Sequence, residues 1–358
     1  MPDLSDVAIN PDSTIRQAVA CMDGNGLFVA LVLDEAGRLL DTITDGDVRR
    51  AILAGVGLDQ PVAVLRERKA GGQYPTPVTA SVNASATEWV ELMEARHVKQ
   101  LPLVDEEGRV LRVVALKDLI AVEDAPLRAV IMAGGLGTRL RPLTDDVPKP
   151  MLPVGDKPLL EYTLAQLKAA GIATVSVTTH YKSEVISEHF GDGSSFGVAI
   201  NYLHEDEPLG TAGALGLLEK PTGPVLVING DILSRIDFGA MLVFHREHSA
   251  EMTIGVRQFD FSIPFGVVEQ DGVEIRRIVE KPVISRFVSA GVYLLNPDVV
   301  EMVPRGKPYD MPDLANLLAA SGRRVVGFPI REYWLDIGKI EDYRRAQEDV
   351  HTISEVDA

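Results

Sequence analysis

The sequence predicts an α/β domain built on a mixed, mostly parallel, Rossmann-like sheet, preceded by a duplicated α+β module. Three observations carry this. Residues 34–48 (DEAGRLLDTITDGDV) recur at 105–119 (DEEGRVLRVVALKDL) at a constant offset of 71, the mark of one supersecondary unit used twice. An apolar strand over 128–133 runs straight into Gly134-Gly135. Beyond it helical and strand-like patterns alternate at the spacing of βαβ units.

The repeat comes first in the chain. Ser13-Thr14 opens a helical pattern through Ile15, Ala18, Val19 and Met22, and Ser85 likewise precedes Trp89, Leu92 and Met93. Each copy then reads apolar strand (LFVALVLD, VKQLPLVD), glycine turn, strand (LLDTIT, VLRVVAL), helix. The copies span about 1–58 and 72–122 of a module over 1–124, short enough that each needs the other to bury its apolar face. VEDAPLR at 122–128 reads as a linker to a second domain over 127–358. There the periodicity predicts helices over roughly 158–170, 182–190, 211–219 and 237–248, with strands in TVSVTTH, VAINYLHE, PVLVING and EMTIGVRQ. Ligands of such sheets sit at the carboxyl ends of strands, where the polar motifs fall.

Composition narrows the chemistry. Of 358 residues 46 % are hydrophobic and 24 % charged, the balance of a globular chain. Lys plus Arg number 35 against 52 Asp plus Glu, a net charge of −17 with both halves acidic, which disfavours nucleic acid or an anionic membrane as partner. One cysteine, Cys21, excludes an internal disulfide and a cysteine zinc site and fits a reducing cytosol; it is expected to be a small core residue on a helix face. The N-terminus lacks the basic start and apolar core of a signal peptide, and no apolar run reaches the roughly 20 residues of a membrane span. A cytoplasmic location is expected.

The strongest motif is AGGLGTRL at 133–140, followed by Arg141-Pro142-Leu143-Thr144 and Pro148-Lys149-Pro150-Met151-Leu152-Pro153. Gly134, Gly135 and Gly137 let backbone N–H groups approach an anion, Thr138 adds a hydroxyl, and Arg139 and Lys149 supply cations for phosphate oxygens. The loop departs from Walker A, having no Gly-Lys-Ser/Thr. It departs from the dinucleotide fingerprint as well, because Leu140 stands at the third glycine position. His180, His204, His245 and His248 show no metal-ligand spacing and are expected in structural or solvated roles.

This loop resembles the opening of sugar-1-phosphate nucleotidylyltransferases, which join a nucleoside triphosphate to a sugar 1-phosphate and release pyrophosphate. The likeness continues in order over about 128–350. EDEPLGTAG at 205–213 is similar to the base-binding loop and helix start, with Glu205, Gly210 and Thr211. Asn229-Gly230-Asp231 and Trp334-Leu335-Asp336-Ile337-Gly338 are similar to the segments bearing the metal aspartates, Asp231 and Asp336. Phe265-Gly266-Val267-Val268, Glu280-Lys281-Pro282 and Ser289-Ala290-Gly291 resemble the sugar-binding segments, with Gly266, Glu280 and Gly291. The resemblance implies Mg²⁺ as cofactor. It also implies Arg139 on the β- and γ-phosphates, and Lys149 and Lys281 on the sugar phosphate and α-phosphate. Such chemistry needs carboxylates and fixed cations rather than an activated Ser, Cys or His, because the sugar phosphate is already an anionic nucleophile. The hexapeptide β-helix of some relatives is absent from the sequence, so no added acyltransferase activity is expected.

Relatives that use uridine or thymidine triphosphate carry Gln at the position of Glu205. A carboxylate there, an acceptor only, suits the paired donors of guanine, and EDEPLGTAGA resembles the guanylyltransferase branch. The substrate expected is therefore GTP with a mannose- or glucosamine-type sugar 1-phosphate. A uridine- or thymidine-triphosphate enzyme of the same fold stays open, as does a catalytically vestigial nucleotide-sensing protein. In the first repeat, Thr44-Asp45-Gly46-Asp47 after a strand resembles the T-x-x-D of paired CBS (cystathionine-β-synthase) modules, in which Thr and Asp bind an adenine nucleotide's phosphate and ribose. The second copy keeps Asp118 but has Ala115 for the Thr, so at most one regulatory adenine or guanine nucleotide is expected, at Thr44 and Asp47. CBS repeats ahead of such an enzyme resemble bacterial proteins making nucleotide sugars for surface polysaccharides. A homo-oligomer, dimer or tetramer, is expected.

Overall fold

The computed structural model describes residues 4–69, 75–119 and 127–354, and contacts divide the chain into two compact units, 1–124 and 125–358. Most of the expected linker lies outside the described residues, and its last position, Arg128, already begins a strand.

In the first unit the two copies share one plan. Helices Ile15–Asn25 and Ala86–Ala95 each begin with a reciprocal capping box, Thr14 with Gln17 and Ser85 with Glu88. Antiparallel strands follow, Val29–Leu33 with Leu39–Thr44 and Gln100–Val104 with Val110–Ala115. A two-residue strand, Ala8–Ile9 or Ala80–Ser81, completes each three-stranded sheet in parallel. The copies join at their glycine turns: Leu39 N–H donates to Gly108 O and Val110 N–H to Gly37 O. One apolar cluster takes Val29 and Leu31 from the first copy and Val110, Val113 and Ala115 from the second, which is the shared burial that a duplicated short unit requires.

The second unit is a seven-stranded sheet. In chain order its strands are β1 (Arg128–Met132), β2 (Thr174–Thr179), β3 (Ala199–His204), β4 (Val225–Asn229), β5 (Met252–Ser262), β6 (Val283–Leu295) and β7 (Val325–Pro329), arranged 3-2-1-4-6-5-7. All pairs are parallel except those of β6, which runs antiparallel to β4 and β5. Side chains alternate between two cores, as period-2 strands covered on both faces must. Ala129, Ile131, Leu226 and Ile228 face one core, and Val130, Val225 and Val227 the other. Helices Leu159–Ala169, Ser183–Phe190 and Phe238–Glu247 supply the first core and Met311–Ala320 the second. The helix expected over 211–219 is shorter, a single turn at Gly210–Gly213 continued by a 3₁₀ turn at Ala214–Leu217. The strand expected to end near 258 continues to Ser262, because β6 extends with it and pairs every residue from 256 to 262.

β1 has β2 on one side and β4 on the other, and the chain order reverses between them. This is the switch point at which open α/β sheets leave a crevice.

Candidate active site

Both signature segments leave the sheet at that crevice. The glycine loop follows β1, and Asp231 follows β4. They line a cleft of about 370 Å³ formed by Gly134 through Leu140, Lys149, Pro208, Asp231 and Gly338.

Local chemistry explains the loop. Gly137 lies at φ +63°, and a Cβ there would meet Thr144 Cγ2 at 3.0 Å. Thr144, buried, donates its hydroxyl to Gly137 O at 2.8 Å and so pins the turn. Gly134 answers to its neighbour rather than to its dihedral, since a Cβ would fall 2.6 Å from Glu205 Oε1. Glu205 is buried, and its other oxygen accepts from Leu209 N–H at 2.9 Å. His180 Nδ1 holds the Glu205 carbonyl at 2.7 Å. The acceptor expected to read a base thus sits against the glycine loop and closes the turn ahead of Gly210.

A third small core fixes the charged groups. Leu140, Leu152, Val154, Leu159, Leu233, Leu335, Ile337, Ala346 and Val350 cluster together, tying the C-terminal helix Ile340–Ser354 to the Arg139 turn. Strand Ile232–Ser234 pairs antiparallel with Trp334–Asp336, placing Ile232 opposite Asp336, and Ile337 N–H donates to Asp231 O. Two aspartates about a hundred residues apart in sequence become neighbours through this pair rather than through the main sheet. Lys149 Nζ reaches Asp231 Oδ2 at 2.5 Å. Asp231 Oδ1 is buried and has no hydrogen-bond partner among the described residues. Burial raises the Asp336 pKa above the ordinary carboxylate value, and Asp231 adds to this while Lys149 and Arg139 oppose it. Asp342, which also raises it, accepts from Lys339 N–H at the start of the last helix.

Other site residues stand apart. Lys281, at φ +44°, and Glu280 are exposed at the foot of the hairpin Val267–Asp271/Glu274–Val279, and neither is among the residues that line the cleft. Gly266 adjoins Glu280, whose Oε2 would lie 3.1 Å from a Cβ there. Gly291 abuts Asn229 at the end of β4. Thr211 is held by a residue that sequence reasoning missed: Asp310 Oδ1 accepts from its N–H at 2.9 Å and its hydroxyl at 3.1 Å. The roles of Thr144 and Asp342 were missed too, while His180, read as structural or solvated, holds the Glu205 carbonyl. Only Asp342 left a signal, an acid at the third position of the final helix.

The histidine reading holds where His245 is concerned. It is buried between Thr253 Oγ1 and Asn296 Oδ1, and burial lowers its pKa. Cys21 is only partly buried, its thiol donating to Asp6 O. In the first unit Thr44 and Asp47 are brought together but already engaged. They form the capping box of helix Asp45–Leu53, and Asp47 pairs with Arg50 at 2.7 Å and Lys69 at 3.4 Å. Burial works to raise the Asp47 pKa, but Lys69, Arg50 and the Thr44 hydrogen bonds together leave it below the ordinary value. Ala115 is buried in the core shared by the copies. The Asp118 side chain lies outside the described residues.

A nucleotidyl transferase family model matches residues 128–353, and a CBS domain model matches 4–54 and 73–124. The chain belongs to the nucleotidyl transferase family. Its transferase unit is 37 % identical over 234 residues to a mannose-1-phosphate guanylyltransferase of Mycobacterium tuberculosis, covering 62 % of this chain and 64 % of that one. It is 34 % identical over 227 residues to a mannose-1-phosphate guanyltransferase of Kluyveromyces lactis, covering 61 % and 63 %. The chain thus spans a little under two thirds of the length of these curated relatives. A crystal structure of a Bacillus anthracis protein assigned as a glucose-1-phosphate thymidylyltransferase, in complex with a sucrose, superposes with a TM-score of 0.51 at 26 % identity, over 62 % of this chain and 94 % of that one. No helix among the described residues is long and apolar enough to cross a membrane.

Proposed function

We propose that the chain transfers a guanylyl group from GTP to a mannose- or glucosamine-type sugar 1-phosphate, releasing pyrophosphate and forming a nucleotide sugar. The observation that carries this is the convergence of the glycine loop, Arg139, Lys149, Asp231 and Asp336 in one crevice. The guanylyltransferase relatives and the carboxylate of Glu205 favour guanosine.

Members of the family generally use a divalent metal. Asp231 and Asp336 would hold it, and the buried, unpartnered Asp231 Oδ1 is an open ligand position. Among the described residues no group of three His, Cys, Asp or Glu could hold a metal alone. Two carboxylates completed by substrate phosphates suit Mg²⁺. Such a cation would offset the negative charge of the phosphates and of the leaving pyrophosphate. The chain's own groups do the rest. Glu205 orients the base beside Gly134. Arg139 takes charge that accumulates on the β- and γ-phosphates. Lys149 draws the α-phosphate and sugar phosphate together. An oxygen of the sugar phosphate attacks the α-phosphorus, the bond to the bridging oxygen breaks, and pyrophosphate leaves with that electron pair. Glu280 and Gly266 contact the sugar from the hairpin side.

The CBS pair is proposed to bind one purine nucleotide at Thr44 and Asp47 and to modulate the transferase unit. The setting proposed is a cytoplasmic homo-oligomer supplying nucleotide sugars for bacterial surface polysaccharide. A grid of nucleoside triphosphates against sugar 1-phosphates, read by pyrophosphate release, tests the whole. Fastest turnover is expected with GTP and mannose or glucosamine 1-phosphate. Faster turnover with thymidine or uridine triphosphate and glucose 1-phosphate would favour the second reading, towards which the Bacillus anthracis likeness leans. No turnover with any pair would leave only a nucleotide-sensing role.

A further inference from the structure

The Lys149–Asp231 pair places a cation on the carboxylate that a metal would occupy. Lys149 Nζ lies 2.5 Å from Asp231 Oδ2, with the two side chains 12 % and 25 % exposed. The other oxygen, Oδ1, is buried with no hydrogen-bond partner. One oxygen of the carboxylate is therefore held by Lys149, and the other has no hydrogen-bond partner among the described residues. A partly desolvated carboxylate without a counter-charge is costly, and a second carboxylate, Asp336, stands beside it through the Ile232–Asp336 pairing.

Lys149 is built to leave. It opens the 3₁₀ turn Lys149–Met151, whose next residues, Pro150, Met151 and Leu152, are buried and fix the backbone. Its four-carbon stem can swing the ammonium by several ångströms with no main-chain change. On one side of it is Asp231, and on the other the glycine loop, with Lys149 Cβ 3.3 Å from a Cβ placed on Gly137.

We propose that Lys149 is the resting counter-ion of Asp231: its ammonium holds the carboxylate in the empty enzyme, yields it to an incoming divalent cation, and turns to substrate phosphate. This rests on the reading of Asp231 as a metal carboxylate. Cation replaces cation, so Asp231 is never left without a counter-charge, and the divalent ion adds one further positive charge for the phosphates to meet. The released ammonium gives up its hydrogen bond to Asp231 and regains a strong partner when phosphate arrives, so metal and triphosphate bind better together than apart, and neither binds tightly alone.

The test is Mn²⁺ binding to the full chain without nucleotide, followed by electron paramagnetic resonance. Removing the competing ammonium in Lys149→Met is expected to tighten Mn²⁺ by about tenfold or more, the size expected for loss of one charge-assisted hydrogen bond. Asp231→Asn is expected to lose the ion. Unchanged or weaker binding by Lys149→Met, with Asp231→Asn still losing the ion, would overturn the counter-ion role and leave the metal reading standing. Retention of parental Mn²⁺ binding by both Asp231→Asn and Asp336→Asn would sink the metal reading and this proposal with it. A measurement on the parent chain guards against misfolded variants. Mg²⁺ should raise several-fold the acylation of Lys149 by an amine reagent, read by mass spectrometry, and no rise would overturn the exchange.

Discussion

Around the cleft, the charged groups stand on segments whose neighbours are almost sealed: Leu140, Leu233 and Ile337 are 3 % exposed or less. On the hairpin after β5, Phe265, Ile275 and Ile278 are 60 % exposed or more, and the cross-strand pair Arg277–Glu269 is open to solvent. The same domain thus holds one functional edge by an apolar core and the other by ladder hydrogen bonds and surface ion pairs worth little individually. Under the proposed function, the difference is one of duty. Phosphate chemistry needs cations and carboxylates preorganised before the reaction, and only a buried scaffold does that. Holding a sugar by its hydroxyls tolerates a segment that adjusts.

The comparison breaks most visibly at Asp231. Asp231→Asn keeps the shape and removes the charge, and kcat should fall about a hundredfold or more with the KM values little changed, as for loss of a metal anchor. Turnover within about threefold of the parent at saturating Mg²⁺ would take the metal role away from this residue. Next in size is the scaffold itself. Leu335→Ala, beside Asp336 in the small core, should cost about 2–5 kcal/mol, seen as an earlier unfolding midpoint. A loss under about 1 kcal/mol would mean that the cleft does not depend on that core.

Glu205→Gln sharpens the nucleotide side. It exchanges an acceptor for a mixed donor and acceptor, and one misplaced polar pair costs roughly 1–3 kcal/mol. The ratio of kcat/KM for GTP over UTP should drop about tenfold, and an unchanged ratio would move Glu205 out of the base site. The smallest effect belongs to the hairpin. Ile278→Ala, on its exposed face, should change stability by no more than about 0.5 kcal/mol. A large loss there would show that the hairpin is as rigidly supported as the cleft.

Much of this was legible in one sequence because the decisive residues come in contiguous strings. The loop from Gly134 to Lys149, the repeat at offset 71, and the strand patterns at 174–180 and 224–230 are local signals set by backbone conformation and period. What stayed hidden was long-range. Asp310 binds Thr211 from about a hundred residues away, and the hydrogen bonds by which Thr144 and His180 hold the backbone oxygens of Gly137 and Glu205 are not written in the spacing of the motifs. Thr44 and Asp47 were legible as a pair. Lys69, which reaches Asp47 and Asp41, was not, because its helix Ala63–Lys69 carries no motif tying it to them.

By itself, then, the sequence determined the strands, the caps, the glycine positions and the charges available for phosphate, all of which follow from side-chain type and spacing along the chain. Only the tertiary structure decided which charges meet. It put Lys149 on Asp231 and set Asp231 beside Asp336 through a two-stranded pair outside the main sheet. The physical reason is that Coulomb attraction, desolvation and hydrogen bonding act through space over a few ångströms, whereas sequence pattern reports only neighbours along the chain.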